Sequence, residues 1–153
     1  MKVAQALTDR AALQTQLNDL RSRLDVSVTH QEGDSPTEDP AALMAEADRV
    51  VKALMTLIQR INRTNASASF PTGGTVTDAI AKRDALGMQH STLDRAVRAV
   101  GDQRSSRGMR TELRTIVAID MPAVRQQMDE IAKERRALDS TLQELNWKVD
   151  LVD

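Results

Sequence analysis

The feature that most constrains this chain is the spacing of its apolar residues, which return every three or four positions over stretches far longer than a strand. Val3, Ala6, Leu13, Leu17, Leu20 and Leu24 form the first such row, with Arg10 in its gap. Heptad spacing of this kind puts every apolar residue on one narrow seam of a helix, whereas a strand alternates with period two. The row predicts a helix from about residue 2 to 24. A second helix is expected from about 40 to 65, opened by Asp39 as N-cap and Pro40 at the first helical position. Its seam is Leu43, Ala47, Val50, Leu54, Leu57 and Ile61. Val51, Met55 and Ile58 widen that stripe to one side, as in a helix that touches more than one neighbour.

A third helix opens at Thr77-Asp78, with Thr77 as the expected N-cap, and carries Ala79, Leu86, His90, Leu93, Val97 and Val100. Gly87 weakens its interior by about 1 kcal/mol relative to alanine. The fourth begins at Asp120-Met121-Pro122 and sustains Val124, Met128, Ile131, Leu138, Leu142, Leu145, Val149 and Val152, with Arg135 as the break. Between the helices, Gln31 to Pro40 and Phe70 to Gly74 have turn composition, and Gly101 to Arg114 reads as a basic loop. Two short stretches depart from helical spacing. Val26, Val28 and His30 alternate with polar residues, and Thr115 to Ile119 is rich in β-branched side chains. Together they predict a small two-strand β ribbon at the corners between helices one and two and between three and four. The expected fold is therefore mainly α: an antiparallel bundle of four long helices with heptad seams and that ribbon, one domain over 1–153.

Composition removes several function classes. Phe70 and Trp147 are the aromatic residues and there is no tyrosine, which excludes a base-stacking platform. A net charge of −1 leaves no global basic surplus for duplex DNA, so no DNA partner is expected. There is no cysteine, and no Gly-rich phosphate loop, Gly-x-Ser-x-Gly or His-Glu-x-x-His motif. No catalytic residue, cofactor or metal site is expected, and the protein is read as a non-enzyme. Asp34 to Glu38 lacks the glycine and the spacing of a calcium loop. Charges at Lys2, Asp9 and Arg10 interrupt any secretory apolar region, so a cytoplasmic location is expected. Helices that lie on membranes carry basic faces with aromatic anchors, which argues against a membrane partner.

Three groups of residues are candidates for function. Asn62, Thr64 and Asn65 near the end of helix two, with Asn146 and Trp147 near the end of helix four, read as a polar network that sets register between helices or subunits, or as a small-ligand pocket. Arg104, Arg107, Arg110 and Arg114 offer guanidinium forks for an anion or RNA phosphate. The acidic stretch from Asp25 to Asp48 contains no lysine or arginine, so mutual pairing of the two segments is the simpler use of both. His90, on an apolar seam, reads as a core or interface histidine, with a pH switch as the alternative.

Four words in the chain are also familiar as a set. They are Gln31-Glu32-Gly33 with Glu38-Asp39-Pro40, Ile61-Asn62-Arg63-Thr64-Asn65, Thr77-Asp78-Ala79 with Arg83-Asp84-Ala85-Leu86, and Gln143-Glu144-Leu145-Asn146-Trp147. In these words the chain resembles a family of short bacterial helical proteins labelled septicolysin-like, over nearly its whole length. The resemblance implies a helical fold and a symmetric homo-oligomer, a trimer or hexamer. The label implies a pore-forming cytolysin as a rival class. Residues and resemblance together lead to a non-enzymatic, self-assembling helical protein whose partner is itself. The alternatives are a membrane-active protein, or phosphate or RNA binding through Arg104 to Arg114.

Overall fold

The computed structural model of this chain describes residues 1–105 and 116–152. The described chain is mainly α, with four long helices: α1 (Val3–Ser27), α2 (Pro40–Ser67), α3 (Val76–Ser105) and α4 (Met121–Lys148). They belong to two compact units. Met1–Ser69 with Glu144–Asp153 form the first, and Phe70–Gln143 form the second.

In the first unit α1 and α2 pack as an antiparallel pair. Val3 and Ala6 cluster with Leu57, Ile61 and Leu151, while Leu17 and Leu20 cluster with Leu43 and Val50. The rising order on α1 meets a falling order on α2, as the heptad rows require. Leu13 borders both clusters and makes the seam continuous. Each fully buried leucine or valine contributes about 1.5–3 kcal/mol relative to exposure, so this seam is the main source of cohesion in the unit. Arg23 on α1 grips Glu38 in the α1–α2 connection with two parallel hydrogen bonds, one of them 2.9 Å from Nε to Oε1. That contact raises the Arg23 pKa and lowers that of Glu38.

Helix starts follow local chemistry. The Asp39 carboxylate accepts from the Ala41 amide at 2.9 Å, and Pro40 occupies the first helical position, as expected. Asp120 caps α4 through the Ala123 amide at 3.1 Å. α3 starts two residues earlier than Thr77 predicts. Its cap is Thr75, whose amide and hydroxyl both donate to Asp78 Oδ2 at 2.8 Å, while the Asp78 amide donates back to Thr75 Oγ1 at 3.2 Å. This reciprocal box outcompetes Thr77 because the acidic residue stands three positions after Thr75. These bonds from Thr75 also hold the Asp78 carboxyl below its ordinary pKa.

The two-strand ribbon is corrected. No strand is present among the described residues; α1 continues through Ser27, and the Val28 amide still bonds the Leu24 carbonyl at 3.1 Å. Three alternating residues cannot outweigh a helix already anchored by Leu17 and Leu20, and Val26 and Val28 are both exposed. Of the second proposed strand, Thr115 lies outside the described residues, and 116–119 is irregular with Ile116 exposed. Gly101 to Ser105 is also not loop: it completes α3. Arginine is a good helix former and one glycine costs only about 1 kcal/mol, so basic composition does not end a helix.

α4 likewise stops at Lys148, short of Val152. Residues 149–152 form an extended tail beside the amino terminus: the Val3 amide donates to the Val149 carbonyl at 3.1 Å, and the Leu151 amide to the Met1 carbonyl at 2.8 Å. Backbone groups that would have continued the helix are satisfied there, and Leu151 drops into the α1–α2 core.

In the second unit the turn at Phe70 to Gly74 is closed by the Phe70 amide on the Gly74 carbonyl at 2.9 Å. Gly74 has φ of 75°, and a Cβ there would lie 2.9 Å from Asp78 Oδ2, an atom that the α3 cap holds in place. Gly74→Ala should therefore destabilise the protein by about 1–3 kcal/mol, through both backbone strain and disruption of the cap. Thermal unfolding of the variant beside wild type checks this.

Candidate functional site

Of the polar set near the ends of α2 and α4, Thr64 is the buried member, 1% exposed. Its hydroxyl donates to the Arg60 carbonyl at 2.8 Å and accepts the Val152 amide at 3.0 Å. Arg60 Nε donates to the Val152 carbonyl at 3.0 Å. On the α1 side, Lys2 Nζ reaches the Lys148 carbonyl at 2.9 Å and the Asp150 carboxylate at 2.9 Å. Thr64, Arg60 and Lys2 thus lock the carboxy-terminal tail across the ends of α1 and α2. Lys2, Arg60 and Asp150 carried no sequence signal for this role, because partners up to 148 positions apart have no spacing to read.

Asn62 is exposed, Asn65 and Asn146 are half-buried, and Trp147 is exposed at 67%. Among the described residues no side-chain hydrogen bond joins these four to one another or to Thr64. Of the arginine set, Arg104 lies in the last turn of α3, and Arg107, Arg110 and Arg114 lie outside the described residues. Two members of the acidic stretch have nearer partners: Glu38 holds Arg23, and Asp48 holds Lys52 at 2.6 Å. His30 is exposed, with Nδ1 3.0 Å from the Gln31 carbonyl, and no group of three or more His, Asp or Glu suited to a metal ion occurs among the described residues.

The most distinctive surface lies on α2. Met44, Val51 and Met55 are exposed at 53%, 45% and 53%. At about 100° per residue they fall within about 40° of one another, roughly 100° around the helix from the row Leu43, Val50, Leu57 and Ile61. Half-buried Ile58 continues the row, and Asn62 ends it on the same line as Met44. The Asp48–Lys52 ion pair forms one margin. α1 covers the first row and leaves the second one open, so the width of the apolar stripe exceeds what the helix pair buries.

Residues 10–151 match a family of unknown function (DUF6847). The chain belongs to that family. It is also similar to a solved structure described as a functionally unknown conserved protein from Corynebacterium diphtheriae, with 33% identity, 99% of each chain covered and a TM-score of 0.91. No match to a curated protein was found. In this DUF6847 member, no helix among the described residues is long and apolar enough to cross a membrane.

The tail lock makes two checks possible. Thr64→Val keeps the shape and removes the acceptor of the Val152 amide; it should cost about 1–2 kcal/mol and speed hydrogen exchange at that amide. Lys2 holds the Asp150 carboxyl below its usual pKa, first by hydrogen bonding and then by charge. A depressed folded pKa means that the unfolded chain binds more protons in this window. The contribution is therefore complete above the ordinary aspartate value of about 3.9 and is lost as pH falls through the lower folded value. Asp150→Asn should remove that acid-side slope, and unfolding curves across the acid range will show it.

Proposed function

We propose that this DUF6847 protein is a non-enzymatic, cytoplasmic, self-assembling helical protein, with the outer row of α2 as the contact between copies. The observation that carries this reading is the exposed heptad-spaced row Met44, Val51 and Met55, continued by Ile58. Large apolar residues exposed singly are ordinary, but a contiguous row at helical spacing marks a surface for another helix. Covering each of these side chains is worth about 1.5–3 kcal/mol before the cost of association. A second copy presents the same row, and such self-complementary patches are the usual basis of closed symmetric oligomers.

Asn62, at the end of the row, takes the register role: an amide in an apolar seam is satisfied in one alignment and stranded in others. The resemblance to septicolysin-like proteins supplies the size, a trimer or hexamer. No residue is assigned to catalysis in this reading.

Light scattering after gel filtration, at two protein concentrations, tests it. The wild type should run as a defined multiple of the chain mass. Val51→Asp with Met55→Asp should give a monomer with unchanged helical circular dichroism, since both positions are exposed in the single chain. A monomeric wild type, or an unchanged mass in the folded double variant, overturns the proposal.

A further inference from the structure

Two irregularities in the helical pattern meet in the second unit. α3 and α4 run antiparallel there: Lys82 pairs with Glu134 at 2.6 Å, while Leu93, further along α3, lines a cleft with Gln127, earlier on α4; Arg83 approaches Asp139 at 3.9 Å. Gly87 stands in the interior of α3, and Arg135 stands where the α4 seam would carry an apolar side chain. A Cβ placed on Gly87 would lie 3.8 Å from both Cζ and Nη1 of Arg135. The guanidinium therefore rests beside α3 where that helix has no side chain. Because 3.8 Å is ordinary contact, alanine would also fit; what glycine provides is open access to the guanidinium.

Clefts open on both sides of it. One, of about 230 Å³, is lined by His90, Ile131, Ala132, Arg135, Arg136 and Asp139. The other is shallower and includes Gly87, Ser91 and Asp84. Of the two acids at these clefts, Asp84 is held by a different arginine, Arg83, at 3.0 and 2.8 Å, and Asp139 lies near that same arginine. Among the described residues no carboxylate lies within ion-pair distance of Arg135 or Arg136. The smaller cleft is lined by two arginines and one aspartate, a local positive surplus in a chain whose net charge is −1.

We propose that Arg135, with Arg136 and His90, binds a phosphate-type oxyanion in the smaller cleft. A guanidinium presents two parallel donors that match two oxygens of such an ion, and Arg136 adds a second fork. One ring nitrogen of His90 is a donor in either protonation state. The cleft is too small for a nucleotide or drug-sized ligand, whose sites run from about 300 Å³ upward, but it accommodates a phosphate group. The site is independent of the outer row of α2.

The test is an NMR titration of the full chain with inorganic phosphate at constant ionic strength, repeated with a simple alkyl phosphomonoester. Saturable shifts should centre on the amides of 87–91 and 132–136. Arg135→Gln should weaken binding about tenfold or more, the worth of one charge-assisted hydrogen bond. Arg125→Gln, exposed on the same helix but away from the cleft, should leave it unchanged. Tighter binding of the monoester supports a phosphate group carried on an organic molecule, and tighter binding of inorganic phosphate supports the free ion. Absence of saturable shifts with both, or equal affinity in wild type and Arg135→Gln, overturns the proposal.

Discussion

The packing of the α1 row against the inner row of α2 is the constraint on which the first unit depends. Leucines dominate one end of that seam, at 17, 20 and 43, and the smaller Val3 and Ala6 occupy the other. The small residues leave room where the tail crosses, and Leu151 fills it. The antiparallel direction then has a consequence beyond cohesion. It brings Lys2 to the same end of the pair as Arg60 and Thr64, so the tail meets donors and acceptors from both helices at once. A buried threonine hydroxyl between two backbone groups is stable only when both are present, which couples the tail to the integrity of the helix pair.

One helix face can be covered by one neighbour, and α2 has two apolar faces. The inner row is spent on α1, while Met44, Val51 and Met55 remain open to water. Methionine suits such a surface because its flexible, polarisable side chain adapts to a partner's contour. The charged margin at Asp48 and Lys52 is an exposed pair worth little in stability, so its effect would be on alignment and not on affinity.

Gly87 and Arg135 show how sequence faults are reinterpreted by contact. Singly, a glycine in a helix interior is a weak point and an arginine in a heptad row is a break. Side by side they make an accessible guanidinium on a helical wall, with the neighbouring Asp84 already held by Arg83. Neither residue announces the other, because they lie on different helices.

The four helices were legible in the sequence because amphipathic spacing is a local property. Each row lies within one segment, and caps such as Asp39 and Asp120 act on amides two or three positions away. The second, open row on α2 was legible too, as a stripe wider than one neighbour can cover. What the sequence misjudged were places where local patterns compete. The alternation at Val26 and Val28 lost to a helix held by long-range leucine contacts, and the apparent heptad at Val149 and Val152 lost to backbone bonds with the amino terminus. Thr64 stood out in the sequence as one of a polar set with Asn62, Asn65, Asn146 and Trp147, but its partner at Val152 was not visible. Helix identity was thus determined by the sequence itself, since hydrophobic period and capping are set within a few residues. The tail lock and the meeting of Gly87 with Arg135 were decided only by tertiary structure, since they depend on which distant helix ends and faces come together.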